Sequence, residues 1–339
     1  MTKDKTAYCP VCNSPHVKKI FETDSTAVVR HLLNADKMIV KEQCKQKIEK
    51  LWEANHAAFY ECTDCTFAFA HPFISGNADF YSFIYDAESN YPVDKWEYSV
   101  TLESIIRFLK NSRLQPRLLE LGAGNGSFLK MLAGKIIPIN EIFATEYSET
   151  GAKSIGILGI TCLQKELHHM TEKDLSGKIS IICMFQVLEH LTDIHEVFEK
   201  LSELTFAGSR MYISVPNNLQ RRFFDNFSLH YDLPPVHVGR YNMNSLNILA
   251  KTHGWIVIQH LVQPSAYKER ILKFIYSEYT KGQQVFNPEK VKPKFLRLFL
   301  RYSMLSILMI LHVRILSGLR NPKLGTSQWF ELERFNNLK

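Results

Sequence analysis

The feature that most constrains the fold is a glycine-rich stretch at residues 118–128, which reads LLELGAGNGSF. Its first four residues form a short, mostly apolar run typical of a buried parallel strand, and apolar residues recur at helical spacing from Phe128 onward. The turn between them holds three glycines, Gly122, Gly124 and Gly126. Glycine can take positive φ and lets a ligand approach the backbone, and the following helix offers free N–H groups. The stretch therefore predicts a nucleotide-cofactor loop.

The spacing of the glycines discriminates between classes of nucleotide site. A dinucleotide loop needs glycine or alanine at the sixth position of G-x-G-x-x-G, where this chain has Ser127. A P-loop needs Gly-Lys-Ser or Gly-Lys-Thr, which the sequence lacks. The loop instead resembles motif I of the class I S-adenosylmethionine (SAM) methyltransferases, E-x-G-x-G-x-G. That resemblance implies cofactor contacts from Glu120, Gly122, Ala123, Gly124, Asn125 and Gly126.

The rest of the chain supports this resemblance in order and in spacing. A second strand at residues 141–144 leads to Glu146, 24 residues beyond Gly122, where a carboxylate can bind ribose hydroxyls. Further strands are predicted at Ile179–Phe185, Met211–Val215, Trp255–Leu261 and Gly325–Arg334. The segment QVLEHL after the first of these, and Val-Pro-Asn after the second, resemble the family's fourth and fifth strands. The resemblance covers most of residues 95–262 and adds Tyr147 and Gln186 to the implied cofactor residues.

The fold that this resemblance implies is α/β, a Rossmann-like seven-stranded sheet with helices on both faces, plus a small N-terminal zinc-ribbon-like module. The predicted domain boundaries are 1–78 for the module with a helical insertion, 79–262 for the methyltransferase core with an aromatic lid segment at 79–100, 263–324 for a basic apolar helical insertion, and 325–339 for the final strand and tail.

The N-terminal module is predicted from four of the seven cysteines, which form two C-x-x-C pairs: Cys9, Cys12, Cys62 and Cys65. Two such pairs can supply a closed tetrahedral thiolate site for structural zinc. The 49 residues between the pairs exceed the spacing of a compact zinc ribbon, so an insertion with helices near 25–34 and 39–55 is expected. A redox C-x-x-C and four buried thiols are the alternatives. Thr66 follows the second pair where family ribbons often have glycine, which makes its usual turn uncertain.

Aromatic residues are concentrated between the module and the core: Phe80, Tyr81, Phe83, Tyr85, Tyr91, Trp96 and Tyr98. In class I methyltransferases the region before motif I often forms a lid, and aromatic faces attract a sulfonium cation. The alternative is that these side chains only pack the module onto the core.

A basic segment at residues 267–323 carries 12 Lys and Arg against 3 acids, a net charge of 12 − 3 = +9, whereas the whole chain carries +7. Within it, residues 295–319 are largely apolar, but only 12 residues in succession are uncharged, too few to span a bilayer. Two interpretations stay open for a helix at 294–320: peripheral contact with anionic lipid, or packing on the protein's own core or a second subunit. Few aromatics interleave with the cations, so no specific nucleic acid is expected.

The catalytic residues are sought at the carboxyl ends of the strands, where ligands bind in open α/β sheets. An oxygen or carbon acceptor must lose a proton, and His190 and His237 are the candidate bases. Glu189 is interpreted as a helix-face or backbone-binding residue. The start of the chain has no apolar signal region, so a cytoplasmic location is expected, with peripheral contact to the inner face of the membrane as a further option.

The resemblance implies methyl transfer to a small or carrier-bound acceptor. A sugar of a surface polysaccharide pathway is the acceptor it favours, because zinc ribbons precede the methyltransferase domain in sugar C-methyltransferases. Two alternatives are O-methylation of a lipid or quinone head group at the membrane, and a non-catalytic SAM-binding scaffold. Since zinc ribbons also serve as docking modules, a protein or RNA acceptor stays open as well.

Overall fold

The computed structural model describes residues 7–33, 38–85, 95–226, 232–272, 274 and 313–335. Its N-terminal part contains β1 (Val17–Asp24), α1 (Ser25–Leu32), α2 (Met38–Trp52), β2 (His56–Cys62), β3 (Ala68–His71) and α3 (Ala78–Tyr85). Asp24 caps α1 by accepting a hydrogen bond from the backbone N of Ala27 at 2.8 Å. The two helices α1 and α2 lie between the cysteine pairs and bury Val28 and Ile48 against Phe59 of β2.

The remaining helices and strands follow in chain order: α4 (Trp96–Asn111), β4 (Leu118–Leu121), α5 (Leu129–Leu132), β5 (Ile142–Thr145), α6 (Glu149–Ile157), β6 (Thr161–Leu163), β7 (Ile179–Phe185), α7 (Ile194–Glu203), β8 (Thr205–Pro216), α8 (Asn218–Asp225), β9 (Gly239–Arg240), α9 (Met243–Thr252), β10 (Trp255–Val262), α10 (Val313–Gly318) and β11 (Ser327–Arg334). Three 3₁₀ turns lie at Ile139–Glu141, Leu167–His169 and Leu188–His190.

Seven strands of the described residues form one mixed sheet in the order β10-β11-β8-β7-β4-β5-β6. The five strands from β8 to β6 are parallel, and β11 pairs antiparallel with both β8 and β10. The central strand β4 is flanked by β5 and β7, with Glu120 opposite Ala144 on one side and Cys183 on the other. The loops that follow β4, β5, β7 and β8 therefore meet at one edge of the sheet.

Each face of this sheet has its own hydrophobic core, because side chains alternate between the faces of a strand. On one face α7 and α9 pack with Phe198 and Leu246 against side chains such as Leu119 of β4. On the other face α4, α5 and α6 pack against Leu118 and its neighbours. The predicted Rossmann-like seven-stranded sheet with helices on both faces is confirmed.

Among the predicted strands and helices, β8 differs most from its predicted bounds. Strand β8 begins at Thr205, six residues before the predicted Met211. Its first half carries the exposed Phe206 and the positive-φ Gly208, so the apolar pattern that marks a buried strand starts late. Helix α5 is only four residues long, so the loop before it is followed by about one helical turn.

A smaller sheet joins the N-terminal part to the core. Its order is β1-β2-β3-β9, and β9 comes from the methyltransferase part of the chain, with Phe69 paired to Gly239 and Ala68 to Arg240. The cysteine pairs pack in the same hydrophobic core as α9. The module thus shares both a sheet and a core with the larger domain.

Most of the basic helix predicted at 294–320 lies outside the described residues, which resume at Val313 with α10. The described end of this segment packs on the protein itself. Leu319 and Leu324 are buried with Phe224 of α8, and Arg270 Nε donates to the carbonyl of Leu319 at 2.7 Å. No helix among the described residues has the length and apolar character needed to cross a bilayer.

Candidate active site

The glycine-rich loop after β4 has the conformation that its sequence predicts. Gly122, Gly124 and Gly126 have φ of 64°, 57° and 75°, values that L side chains rarely adopt. A Cβ on Gly122 would also lie 2.8 Å from Cγ2 of Val187, and one on Gly126 would lie 3.2 Å from Ile155. The loop is therefore restricted to glycine both by backbone conformation and by close neighbours.

Glu146 at the tip of β5 fixes this loop in place. Its carboxylate accepts hydrogen bonds from the backbone N of Gly124 and of Ser148, both at 2.8 Å. Thr145 adds two more anchors, since its carbonyl accepts from Ala123 N at 2.9 Å and its hydroxyl from Gly122 N at 3.2 Å. A carboxylate can accept about four hydrogen bonds. Glu146 can therefore hold the loop and still accept from ribose hydroxyls, the role predicted for it.

Glu120 is the buried acid of the loop. It is 2% exposed, and its Oε2 has no hydrogen-bond partner among the described residues. Burial raises the pKa of its carboxyl well above the ordinary value, nearby Glu146 adds to the rise, and Lys95 opposes it. An unsatisfied buried carboxyl is costly unless a ligand completes it. Glu120 and the glycine-rich loop together fit a cofactor that brings a hydrogen-bond donor or a cationic group to the loop.

The other predicted cofactor residues surround the same edge. Ala123 is buried, and Oδ1 of Asn125 accepts from the backbone N and hydroxyl of Ser127 at 3.1 and 2.6 Å, which closes the turn. Tyr147 is 76% exposed beside Glu146. Gln186 lies at the end of β7 with φ of 57°, and its backbone N donates to the carbonyl of Ser214 at 2.9 Å. The contacts of these residues with cofactor stay predictions.

The two predicted bases, His190 and His237, are brought together although they are 47 positions apart in the chain. Their rings meet edge to face with centroids 4.6 Å apart. Nδ1 of His190 lies 2.6 Å from the carbonyl of Val236, so this nitrogen carries the proton and donates. Nδ1 of His237 lies 3.1 Å from Oδ1 of Asp232. In both rings Nδ1 therefore faces an oxygen of the protein.

The electrostatic surroundings separate the two histidines. Burial, with the charge of His237 adding to it, lowers the pKa of His190 to about 3, so this ring is neutral near pH 7. Burial also disfavours charge on His237, but the attraction of Asp232 outweighs it and raises the pKa of His237. The Asp232 carboxyl in turn has a pKa well below its usual range, because Arg221 and His237 outweigh its burial.

Glu189, which the sequence indicated as a helix-face or backbone-binding residue, completes this group with a buried side chain. It is 1% exposed, and neither carboxylate oxygen has a hydrogen-bond partner among the described residues. Burial raises the pKa of its carboxyl to about 7, although His237 opposes the rise. Ligand atoms of Glu189, His190 and His237 all lie within 4.8 Å of one another. We refer to these three residues as the Glu-His-His cluster.

The Glu-His-His cluster adjoins the glycine-rich loop. Val187, the residue that limits the space above Gly122, accepts a hydrogen bond from the backbone N of His190 at 3.0 Å. Lys95 acts on both parts, since its charge lowers the pKa of Glu120 and of Glu189. A ligand on the loop would therefore have a proton-exchanging cluster as its neighbour.

A family model described as a methyltransferase domain matches residues 94–260. This range contains the glycine-rich loop, Glu146 and the whole Glu-His-His cluster. The protein is an S-adenosylmethionine-dependent methyltransferase. No curated protein matches the chain.

Solved structures similar to this methyltransferase are distant in sequence. A SAM-dependent methyltransferase from Archaeoglobus fulgidus is 12% identical, with 70% of this chain and 94% of that chain covered and a TM-score of 0.43. Magnesium protoporphyrin IX methyltransferase from Synechocystis PCC 6803, solved with bound S-adenosylhomocysteine, is 12% identical over 76% of this chain and 93% of that chain, with a TM-score of 0.43. A SAM-dependent methyltransferase from Mesorhizobium loti is 11% identical over 72% and 100%, with a TM-score of 0.43.

The aromatic residues of the predicted lid of the methyltransferase divide between three places. Phe80 is buried in the core of the N-terminal part. Tyr98 packs between Phe128 and Phe185, with centroids 5.4 and 5.1 Å away, behind the glycine-rich loop. Tyr81 meets the ring of His190 edge to face at 5.9 Å. The remaining members also differ: Phe83 and Trp96 are half-buried, the Tyr85 side chain is not described, and Tyr91 lies outside the described residues.

The four predicted zinc ligands converge. Sγ of Cys9 lies 3.4 Å from Sγ of Cys65, and Sγ of Cys12 lies 3.6 Å from Sγ of Cys62. A tetrahedral zinc site with bonds of about 2.3 Å places its sulfurs about 3.8 Å apart, close to these separations. None of the four is joined in a disulfide, and three of them are buried. The arrangement fits one tetrahedral ion better than a redox pair.

The turn after the second cysteine pair contains the departure from the family pattern, Thr66 in place of glycine. Thr66 has φ of 62°, so the position does require the left-handed conformation. The side-chain amide of Asn242 donates to the Thr66 carbonyl at 2.7 Å, and Asn244 Nδ2 donates to the Cys65 carbonyl at 3.0 Å. Both asparagines lie at the start of α9, where Asn242 also caps the helix. The methyltransferase core therefore supports the turn that the sequence left uncertain.

Proposed function

We propose that this methyltransferase transfers the SAM methyl group to a hydroxyl-rich acceptor, a sugar of a surface polysaccharide pathway, free or carrier-bound. The observation that carries the proposal is the Glu-His-His cluster beside the glycine-rich loop. It offers a carboxylate and two imidazoles to an acceptor that has several hydroxyl groups to bind and one proton to lose. The choice of a sugar is supported by the resemblance of the cysteine pairs to the ribbons of sugar C-methyltransferases.

In this proposal the glycine-rich loop, Glu120 and Glu146 hold SAM, which supplies a methyl group on a sulfonium. The chain itself contributes position and proton transfer. An in-line displacement needs the acceptor atom held near attack distance in a site shielded from water. His190 and His237 remain the proposed proton acceptors. Glu189 joins them because a carboxyl pKa of about 7 matches a general base at neutral pH.

A second candidate is O-methylation of a lipid or quinone head group. It is favoured by the net charge of +9 on residues 267–323, which would attract anionic lipid and bring the enzyme to a membrane. In that case the helix predicted at 294–320 is the membrane contact and the enzyme is peripheral on the inner face. The scaffold interpretation is set aside, because the chain is an enzyme and its cofactor loop is intact.

We also propose that Cys9, Cys12, Cys62 and Cys65 bind one structural zinc ion. All four positions would be filled by thiolates, which leaves no place for a substrate. Zinc analysis of the purified protein should give one ion per chain for this site, lost in Cys62→Ser. A Cys62→Ser variant with unchanged metal content would contradict the zinc site.

The cofactor half is tested by calorimetric titration of SAM and S-adenosylhomocysteine. Glu146→Ala should abolish binding, because the loop loses its anchor and the cofactor its ribose partner. Glu149→Ala is the matched control, since Glu149 lies three residues away with 84% of its side chain exposed. Equal binding by wild type and Glu146→Ala would overturn the assignment of Glu146.

The acceptor is tested by following S-adenosylhomocysteine formation with a panel of nucleotide-sugars in solution and with quinone or lipid acceptors in anionic vesicles. Turnover of a nucleotide-sugar without vesicles supports the sugar proposal. Turnover only with vesicles and a membrane acceptor would replace it with the second candidate.

A further inference from the structure

We propose that the Glu-His-His cluster is a binding site for one divalent transition-metal ion, separate from the cysteine site. The first argument is that side chains from two separate parts of the chain come together. One ligand atom from each of Glu189, His190 and His237 lies within 4.8 Å of the others, although the residues come from the turn after β7 and the loop before β9. Two imidazoles and one carboxylate form a known ligand set for such ions, with positions left open.

The second argument is what the other nitrogen of each histidine does. Metal-binding histidines usually donate the second ring N–H to a carbonyl or a carboxylate, which fixes the ring and its tautomer. His190 donates from Nδ1 to the carbonyl of Val236 at 2.6 Å. Nδ1 of His237 lies 3.1 Å from the carboxylate of Asp232. The ring of His190 is thus fixed by a carbonyl, and the ring of His237 has the Asp232 carboxylate beside it, the kind of support that holds a histidine ligand in place.

The third argument concerns Glu189. Its carboxylate is 1% exposed, and both oxygens lack hydrogen-bond partners among the described residues. A buried carboxylate without a partner is strongly disfavoured, and a bound cation removes that cost. The backbone holds the residue firmly, because the Glu189 carbonyl accepts from Val238 N at 2.9 Å. This contact also ties Glu189 to the loop that carries His237.

The ligand set selects the class of ion. Magnesium, calcium and manganese prefer oxygen ligands, whereas imidazole nitrogens favour iron, nickel, copper or zinc. Three protein ligands leave at least one position for an oxygen of another molecule. The identity of that molecule rests on the proposed function, in which it is the acceptor. With the ion bound, the two imidazoles are ligands and cannot take the acceptor's proton, so the ion would favour the loss of that proton by lowering the pKa of the bound hydroxyl. Ion binding itself does not depend on it.

The test is metal content after equilibrium dialysis against Ni²⁺, with nickel and zinc per chain both measured. Wild type should hold one ion more than Glu189→Gln and one more than His237→Gln. Excess Mg²⁺ should not displace that ion. Glu141→Gln is the matched control, because Glu141 has only 14% of its side chain exposed but lies before β5, at the opposite edge of the sheet. Asp232→Asn should weaken the ion about 10- to 100-fold, the usual effect of losing a carboxylate behind a histidine ligand.

Equal metal content in wild type, Glu189→Gln and His237→Gln would overturn the site, provided circular dichroism shows the variants folded. His190→Gln serves as the replacement if either variant is unfolded. SAM titration of the same samples separates this proposal from the proposed function. SAM binding without the extra ion removes the metal site alone, and the extra ion without SAM binding removes the proposed function alone.

Discussion

The glycine-rich loop and the Glu-His-His cluster lie at the same edge of the sheet, but different parts of the chain hold them. The loop is held within residues 120–148, where backbone N–H groups donate to the side chains of Glu146 and Thr145. The cluster is held by side chains from α3, α8 and the loop before β9, among them Tyr81, Arg221 and Asp232. The cofactor half is thus a local motif, whereas the acceptor half is a tertiary arrangement. Changes in one half should leave the other intact.

The largest expected effect is on the acceptor side. His190→Gln should lower kcat by about 100- to 10,000-fold, the usual range for loss of a group that assists proton transfer. The dissociation constant of SAM should stay the same, because the His190 ring is held by the Val236 carbonyl, outside the glycine-rich loop. Stopped-time assays of S-adenosylhomocysteine formation and calorimetry measure the two quantities.

His260→Gln is the control for this substitution. His260 is also a half-buried histidine with a lowered pKa, caused by burial, but it lies on β10 against Gln328. Its substitution should leave both quantities near wild type. If His190→Gln weakens SAM binding as strongly as it slows turnover, the cofactor half and the acceptor half of the site are not independent. The contrast between a local and a tertiary arrangement would then be wrong.

The next effect is on the cofactor side. Gly122→Val should weaken SAM binding about 10- to 100-fold, since a β-branched residue at positive φ costs roughly 1–3 kcal/mol and would also press on Val187. Gly208→Ala is the control that introduces backbone strain away from the cofactor loop. Gly208 has φ of 83°, and no atom lies within 4 Å of its added Cβ. That control should lose stability but retain SAM affinity. Unchanged SAM binding by Gly122→Val would show that the loop does not approach the cofactor.

The same contrast explains how much of the fold the sequence predicts. Strand β7 matches its prediction, because Ile179–Phe185 is a continuous apolar run buried on both faces. The loop glycines were found because strand, turn and helix follow one another within eleven residues. Strand β9 was not predicted, since two residues carry no period, and it forms only because β3 offers an open edge.

The candidate site divides in the same way. The cysteine pairs and the two histidines could be named from the sequence, because each belongs to a short pattern. The partners that decide the behaviour of the histidines could not, since Asp232 and Arg221 lie in no local motif. Glu189 was interpreted as a helix-face or backbone-binding residue, and its burial was not predicted, because its turn contacts Val238, 49 positions further along the chain. Burial that depends on such a long-range contact cannot be predicted from the spacing of neighbouring apolar residues.

The smallest effect concerns the pH dependence of the free energy of unfolding. It tests whether the Glu120 carboxyl has no partner until a ligand binds. Burial raises its pKa well above the ordinary 4.5, so the folded state retains a proton that the unfolded state loses. The free energy of unfolding of the SAM-free protein should therefore fall as pH rises above 4.5, by up to about 1.4 kcal/mol per pH unit, until the folded carboxyl ionises. Glu120→Gln removes this term, so its stability relative to wild type should increase from pH 5 to pH 8 in urea titrations. The same variant should bind SAM more weakly, because an amide, unlike a carboxyl, cannot ionise to accept from a donor or cationic group of the cofactor. Glu149→Gln, at an exposed carboxyl, should track wild type at every pH. If the free energy of unfolding of Glu120→Gln changes with pH in parallel with that of wild type, the Glu120 carboxyl is already satisfied within the protein. The cofactor half, unlike the acceptor half, would then contain no unpaired buried carboxyl.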